Sequence, residues 1–251
     1  MASLIVLGSS SAVPDLEHEN THLAILGDER CILIDCPGSP FVRLRRAGID
    51  PNRLSDLILT HFHPDHISGL PSLLMNMWLM GRQRPLEIYG LGYTLDRTER
   101  LMDLFEWKRW PGFYPVTFNR LPEEEMAGVL ECGDFRVTAS PVRHLIPNIG
   151  LRVEFRGSDK VLAYSCDTEP CPEVVRLAEG ADVLLHEATG AATGHSAPSD
   201  AGRIAREAEV GALYLIHYSP LKDDLQEIVS EAAGAFGGPV ELARDFMELA
   251  L

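Results

Sequence analysis

One short segment, His61-Phe62-His63-Pro64-Asp65-His66, constrains this chain more than any other. It follows an apolar run at residues 57–59, which predicts a buried strand that delivers His61 at its carboxyl end. Side chains two apart in extended backbone point to the same side, so His61 and His63 can bind one ion together. Pro64 keeps His63 out of the helical region. The segment therefore predicts a metal site at the end of a strand.

The same segment predicts a second ion. Asp65 and His66 follow at the start of the next helix, displaced from the first pair. Four potential ligands in six residues are too few for two ions, so other residues must contribute. Imidazole and carboxylate together suit zinc, and also manganese or iron.

Three further ligand candidates each follow an apolar run that predicts a strand. His144 comes after residues 137–142, Asp167 after residues 161–166 and His217 after residues 212–216. Because α/β folds place their sites beyond the carboxyl ends of buried strands, we expect these side chains to converge.

Composition and charge restrict the domain organisation and the partners. The 251 residues are 45% hydrophobic and 24% charged, which fits one globular domain spanning residues 1–251. The formal net charge is −15, with 37 acidic against 22 basic residues. Such a surface repels polyanions, so extended nucleic-acid binding is disfavoured and a small-molecule or short nucleotide substrate is favoured.

The cysteines and the N-terminus indicate a cytoplasmic protein. The five cysteines are odd in number and contain no Cys-x-x-Cys pair, which is typical of reduced thiols. The apolar run at residues 4–7 is too short for a targeting segment, and no run approaches the roughly 20 apolar residues of a membrane helix. We expect no membrane association.

Apolar runs alternate with helical patterns along the chain and predict one α/β domain with sheets inside and helices outside. Strands are predicted at residues 4–7, 22–26, 31–35, 57–60, 86–89, 135–140, 151–155, 161–165, 183–186 and 213–217. Helices are predicted at residues 40–47, 66–80, 95–105, 172–179, 198–209 and 223–235.

An aromatic segment runs from Glu106 to Pro115 and holds two of the three tryptophans. Two interpretations stay open: a helix end packed on the core, or a lid whose rings stack on a substrate.

These residues identify a family. Through Thr60 to Leu70 and the later His144, Asp167 and His217, the chain resembles the metallo-β-lactamase superfamily. The resemblance implies an αββα sandwich, in which two facing mixed β-sheets carry helices on their outer faces. It also implies two divalent metal ions, with zinc preferred over manganese or iron. One ion would be held by His61, His63 and His144, the other by Asp65, His66 and His217, with Asp167 bridging both.

Within the superfamily the chain is similar to the ribonuclease Z branch. The similarity includes the opening residues 4–14, the segment His186-Glu187-Ala188-Thr189 and the segment Gly194-His195-Ser196. It implies catalytic roles for Asp65, Glu187 and His195, with His195 as proton donor to the leaving group, and a homodimer. The branch commonly inserts an arm that grips transfer RNA between the third histidine and the bridging aspartate, but only residues 145–166 lie there in this chain.

We expect a dinuclear metal-dependent hydrolase. The leading hypothesis is a phosphodiesterase that acts on a small or cyclic nucleotide phosphodiester or an RNA 3′ end through a metal-bridging hydroxide. One alternative is hydrolysis of a sulfate ester, lactone or thioester, because the same nucleophile serves those bonds. The other is a non-catalytic, metal-holding binding protein of cofactor metabolism.

Overall fold

The computed structural model of the chain describes residues 2–221 and 225–251, and its strands form two mixed sheets of seven strands each. The first sheet contains β1 (Ser3–Gly8), β2 (His22–Leu26), β3 (Cys31–Ile34), β4 (Asp56–Ile58), β5 (Leu86–Leu91), β6 (Val116–Leu121) and β14 (Glu248–Ala250). The second contains β7 (Ala127–Glu131), β8 (Phe135–Val142), β9 (Asn148–Phe155), β10 (Val161–Tyr164), β11 (Val183–Glu187), β12 (Ala212–Ile216) and β13 (Val240–Leu242).

Strand direction brings many strand ends to one rim of each sheet. The first sheet has the order β14-β1-β2-β3-β4-β5-β6, and the pairs from β3 to β6 are parallel. The second has the order β13-β12-β11-β10-β9-β8-β7, and the pairs from β10 to β13 are parallel. Strands β8 and β10 are both antiparallel to β9, so they run the same way and end at the same rim.

Apolar side chains on both faces of the sheets build three layers of core. In β1, Leu4 and Val6 pack between the two sheets, whereas Ile5 and Leu7 pack under the helices outside. Burial on both faces explains why the strands appear in the sequence as continuous apolar runs. The expected αββα sandwich is confirmed.

Seven α-helices of the described residues cover the outer faces. Helices α1 to α4 cover the first sheet and α5 to α7 cover the second. Their bounds are α1 (Pro40–Arg46), α2 (Pro64–Ile67), α3 (Leu70–Leu79), α4 (Gly92–Leu104), α5 (Pro172–Ala178), α6 (Pro198–Glu207) and α7 (Leu225–Phe236). The first two residues of the predicted helix 223–235 lie outside the described residues.

The structure divides the predicted helix 66–80 into α2 and α3. The break lies at Gly69, whose N–H donates to the carbonyl of Cys36 at 2.8 Å. A Cβ atom at Gly69 would lie 2.6 Å from Cδ of Pro40, so only glycine allows this approach. The break anchors the loop after β3 beside the metal-ligand segment.

Two other expectations concern cysteines and membranes. All five cysteines have free thiols. Within the described residues, no helix combines the length and the apolar character needed to cross a bilayer.

Candidate metal centre

The predicted ligands meet where strands of both sheets end. His61 and His63 follow β4, His144 follows β8, Asp167 follows β10 and His217 follows β12. Parallel strands place these ends at a common rim, and the two rims face each other across the core. The convergence expected from the sequence is present.

Three histidines form the first group of ligand atoms. His61 Nε2 lies 3.0 Å from His63 Nδ1, and His144 Nε2 lies 3.2 Å from the same atom. Tetrahedral bonds of about 2.05 Å to a zinc ion would separate their ligand atoms by about 3.3 Å. The three nitrogens therefore fit one metal ion.

Hydrogen bonds at the opposite ring nitrogens orient two of these histidines. Nδ1 of His144 donates to the carbonyl oxygen of Gly194 at 2.7 Å, which leaves the lone pair on Nε2. Nδ1 of His61 lies 3.1 Å from the Thr60 hydroxyl, within hydrogen-bond reach. Fixing the tautomer in this way presents Nε2 to a metal.

The second group consists of Asp65, His66, Asp167 and His217, whose ligand atoms all lie within 4.8 Å of one another. His66 Nε2 lies 3.5 Å from Asp167 Oδ2, and His217 Nε2 lies 3.5 Å from Asp167 Oδ1. Asp65 Oδ2 lies 3.7 Å from His66 Nε2 and 3.6 Å from His217 Nε2. These separations leave room for a cation among the four side chains.

Buried polar atoms without partners support a metal ion in the second group. Nε2 of His66, Nε2 of His217 and Oδ1 of Asp167 are all buried and have no hydrogen-bond partner among the described residues. A buried polar atom without a partner is costly, and a bound cation would satisfy all three atoms at once. The residues therefore fit a second divalent ion.

Asp167 contacts both groups. Its Oδ2 lies 3.8 Å from His61 Nε2 and 3.9 Å from His144 Nε2, in addition to its contacts with the second group. Burial raises the pKa of this carboxyl, but His217 and His66 outweigh burial and hold it well below its usual value. Asp167 is thus an ionised carboxylate in the position expected of a bridge.

The electrostatics differ between the two groups. Burial lowers the pKa of His61, His63 and His144, and neighbouring histidines lower it further, so these rings are neutral and able to bind metal. Burial also opposes protonation of His66, but Asp167 and Asp35 outweigh it and raise its pKa well above the usual value. A cation bound by the second group would therefore compete with a proton for His66.

Asp35 is a site residue that the sequence reasoning missed. It follows β3, and its Oδ2 accepts a hydrogen bond of 2.7 Å from Nδ1 of His66. The same carboxylate accepts from the backbone N–H and the hydroxyl of Thr60. A signal was available, because Asp35 is an acidic residue directly after a buried strand, as Asp167 is.

His217, in the second group, is also held at its opposite ring nitrogen. Its Nδ1 lies 2.9 Å from the hydroxyl of Thr189.

Glu187 and His195 form a pair beside the ligands. Oε1 of the buried Glu187 lies 3.0 Å from Nδ1 of His195, and the carboxylate also accepts from the backbone N–H groups of Thr168, Thr189 and Ser196. Three of these four donors meet Oε1 and one meets Oε2, so the carboxylate fixes the His195 ring against the backbone around it.

His195 lies over the ligands of both groups. Its ring centroid is 5.1 Å from that of His144 and 5.9 Å from that of His217. Burial opposes its charged form, but the hydrogen bond to Glu187 and the charges of Glu187, Asp167 and Asp65 outweigh burial and raise its pKa.

The aromatic segment packs on the outer helices. Trp110 stacks on Trp78 with centroids 5.1 Å apart, and the Tyr114 hydroxyl donates to the carbonyl of Leu74. Trp107 and Tyr114 are buried in the core beneath those helices. These contacts favour the packing interpretation over a lid.

The interval between His144 and Asp167 contains only the hairpin of β9 and β10 with a short turn at residues 156–160. The fold therefore leaves no inserted arm between these two residues, in agreement with the short interval in the sequence.

Two facing sheets with metal-ligand groups at their common rim define a metal-dependent hydrolase of the αββα sandwich class. A family model described as beta-lactamase superfamily domain matches residues 30–218. The chain belongs to this superfamily and, within it, to the ribonuclease Z-like branch. A ribonuclease Z from Mycobacterium sp. (strain KMS) is 32% identical, and the match covers 98% of this chain and 94% of the relative.

Two solved structures show the same architecture. The short form of human tRNase Z has a TM-score of 0.78 and 25% identity, over 99% of this chain and 98% of its own. The metallo-beta-lactamase fold protein YhfI from Bacillus subtilis has a TM-score of 0.84 and 22% identity, over 99% of this chain and 98% of its own. The likeness to YhfI concerns the fold alone.

Proposed function

We propose that the chain is a phosphodiesterase of ribonuclease Z-like type that uses two divalent metal ions, with zinc as the preferred metal and manganese or iron as alternatives. One observation carries the proposal: the carboxylate of Asp167 lies within 3.9 Å of ligand nitrogens in both groups, and the His195–Glu187 pair lies beside them. The relatives named ribonuclease Z and tRNase Z support the choice of a phosphodiester.

Seven residues would hold the metals. The first ion would be bound by His61, His63 and His144 and the second by Asp65, His66 and His217, with Asp167 shared. When bound, two such ions supply a nucleophile from water at neutral pH and stabilise negative charge on the phosphoryl oxygens.

The chain's own groups would orient the substrate and move protons. Asp65, at the rim of the second group and 15% exposed, can accept a proton from the attacking water. His195 donates through Nδ1 to Glu187, so its Nε2 can carry a proton to the leaving oxygen. This arrangement favours an enzyme over a binding protein, because metal storage alone has no need for an oriented proton donor.

The substrate we propose is a small or cyclic nucleotide phosphodiester or a short RNA 3′ end. The hairpin of β9 and β10 provides no arm for a large RNA. The net charge of −15 opposes a polyanion at long range. A single phosphodiester held at the metals experiences little of that repulsion.

We also propose that residues 1–251 act as one domain, because side chains of both sheets build one shared core. A cytoplasmic location is supported by the five free thiols. A homodimer stays a prediction from family resemblance.

The test is hydrolysis of bis-p-nitrophenyl phosphate by the purified protein after metal analysis. His63→Ala should abolish metal-dependent turnover. His18→Ala is the matched control, because His18 also pairs with a carboxylate, Asp15, but lies outside the two ligand groups. About two bound metals without turnover on this diester would contradict the phosphodiesterase and favour a sulfate ester, lactone or thioester as substrate. Absence of stoichiometric metal after reconstitution would contradict the metal centre itself.

A further inference from the structure

Glu169 lies two residues after Asp167 and makes a contact that the proposed chemistry does not use. Its Oε1 accepts the backbone N–H of Gly194 at 2.8 Å. Its own backbone N–H donates to the carbonyl of Arg143 at 2.7 Å, directly before the ligand His144. Glu169 therefore connects the segment after β10 both to the loop that carries His195 and to the segment that carries His144.

Gly194 continues this connection to the metal centre. Its carbonyl accepts the hydrogen bond from Nδ1 of His144. Its φ is +85°, and a Cβ atom would lie 2.9 Å from Cγ of Leu145 and 3.1 Å from Nδ1 of His144. Only glycine fits without moving that ring, so the position of the Gly194 backbone sets the position of the His144 imidazole.

We propose that Glu169 is a positioning residue that orients His144 for metal binding through the backbone of Gly194. The carboxylate holds the Gly194 N–H, and the Gly194 carbonyl in turn holds His144 with its Nε2 toward His61 and His63. Glu169 therefore acts on the three-histidine group and not on the group formed by Asp65, His66 and His217.

The same contact completes the support of His195. Glu187 holds the His195 ring and the N–H of Ser196, and Glu169 holds the N–H of Gly194. Two carboxylates thus fix three consecutive residues. The effect on metal binding rests only on the metal centre of the proposed function, whereas this second effect, on proton donation, rests also on its phosphodiester chemistry.

Metal affinity in two single-site backgrounds tests the proposal. In His217→Ala, which keeps the three-histidine group, Glu169→Ala should weaken Zn²⁺ binding about 10-fold in a competition titration with a chromophoric chelator. In His63→Ala, which keeps the other group, the same substitution should leave Zn²⁺ affinity unchanged. Equal weakening in both backgrounds, or none in the first, would overturn the proposal.

Conservative and control variants separate the hydrogen bond from general damage. Glu169→Gln retains an acceptor oxygen and should keep Zn²⁺ affinity close to that of the background, so a loss as large as that of Glu169→Ala would overturn the proposed contact. Glu173→Gln, a nearby carboxylate paired with Arg176, should have no effect on affinity.

Glycine variants test the contact between Gly194 and His144. Gly194→Ala should weaken the same single site, because its Cβ displaces His144. Gly48→Ala is the control, since Gly48 has a φ of +76° but nothing within 4 Å of an added Cβ. Weakening by both alanines would point to backbone strain and contradict the role of the Gly194 contact.

The test of Glu169 and the test of the phosphodiesterase activity can give different results. A protein that binds Zn²⁺ as described but does not hydrolyse phosphodiesters would refute the phosphodiesterase and leave the role of Glu169 standing. In an active protein, Glu169→Ala should slow esters with an alkoxide leaving group more than esters that release p-nitrophenolate.

Discussion

The carboxylate of Asp35 accepts a hydrogen bond of 2.7 Å from Nδ1 of His66, and both side chains are buried at the rim between the sheets. Asp35 also accepts from the backbone and the hydroxyl of Thr60, next to His61. One carboxylate therefore supports residues of both ligand groups.

Replacing Asp35 should impair metal binding. Removing a carboxylate that orients a metal-binding histidine lowers metal affinity about 10- to 100-fold, so Asp35→Ala should show a loss of that size by chelator competition. Asp56→Ala is the matched control, because Asp56 is a fully buried carboxylate that begins β4 and pairs with Arg30. It should lower stability without changing metal affinity. If Asp35→Ala lowered stability without lowering metal affinity, Asp35 would have only a structural role.

The loss of kcat on replacing His195 should be larger for substrates with poorer leaving groups. For His195→Ala, we expect about a 10²- to 10⁴-fold lower kcat on a diester with an alkoxide leaving group, because the proton donor is lost. The loss should be far smaller with bis-p-nitrophenyl phosphate, whose leaving group needs no protonation. Full turnover of the alkyl ester by His195→Ala would eliminate the proton-donor role, and His18→Ala serves as control in both assays.

Metal removal should destabilise the protein. An ion at 100 times its Kd contributes about 2.7 kcal/mol to the free energy of unfolding. For a chain of this size that raises Tm by about 5–10 °C per site. Thermal unfolding after dialysis against a chelator, and again after Zn²⁺ is restored, measures the change. The double variant His63→Ala, His217→Ala should show almost no response to Zn²⁺, and a full response there would place the stabilising metal elsewhere.

His22 should make the metal-free protein sensitive to acid. Burial, with smaller contributions from Arg43 and His66, lowers the pKa of His22 from 6.5 to about 3, although its hydrogen bond to Asn20 opposes the shift. The unfolded chain therefore binds a proton between those values that the folded protein does not. Stability falls as pH decreases through this window, by about 1.4 kcal/mol per pH unit.

The difference between wild type and His22→Asn isolates this contribution. Asparagine can place an amide N–H where Nδ1 of His22 donates to the carbonyl of Asn20. Urea unfolding of the metal-free proteins at pH 7 and pH 4.5 should show a drop in stability that is smaller in the variant, by about 2–3 kcal/mol. An equal drop in both proteins would mean that His22 titrates normally in the folded state.

Edge strands show where sequence patterns were insufficient. The predicted strands all correspond to strands in the structure, but β6, β7, β13 and β14 were missed, and these four are the edges of the two sheets. The side chains of an edge strand are less buried than those of a central strand. Apolar and polar residues therefore alternate in an edge strand, or polar residues dominate, and the continuous apolar run of a central strand is missing. Pairing with a neighbouring strand, which is a long-range event, decides that such a segment becomes a strand.

The sequence by itself predicted one α/β domain and the seven candidate ligands, because buried strands and dense ligand motifs leave local patterns, and the family resemblance added the sandwich class. Only the tertiary structure decided which side chains support those ligands. Asp35 contacts His66, 31 positions away along the chain, and Glu169 contacts Gly194, 25 positions away. Such contacts depend on which strands end at the same rim of the sheets and on the close approach of Gly194 to the His144 imidazole. Both follow from packing and not from local sequence.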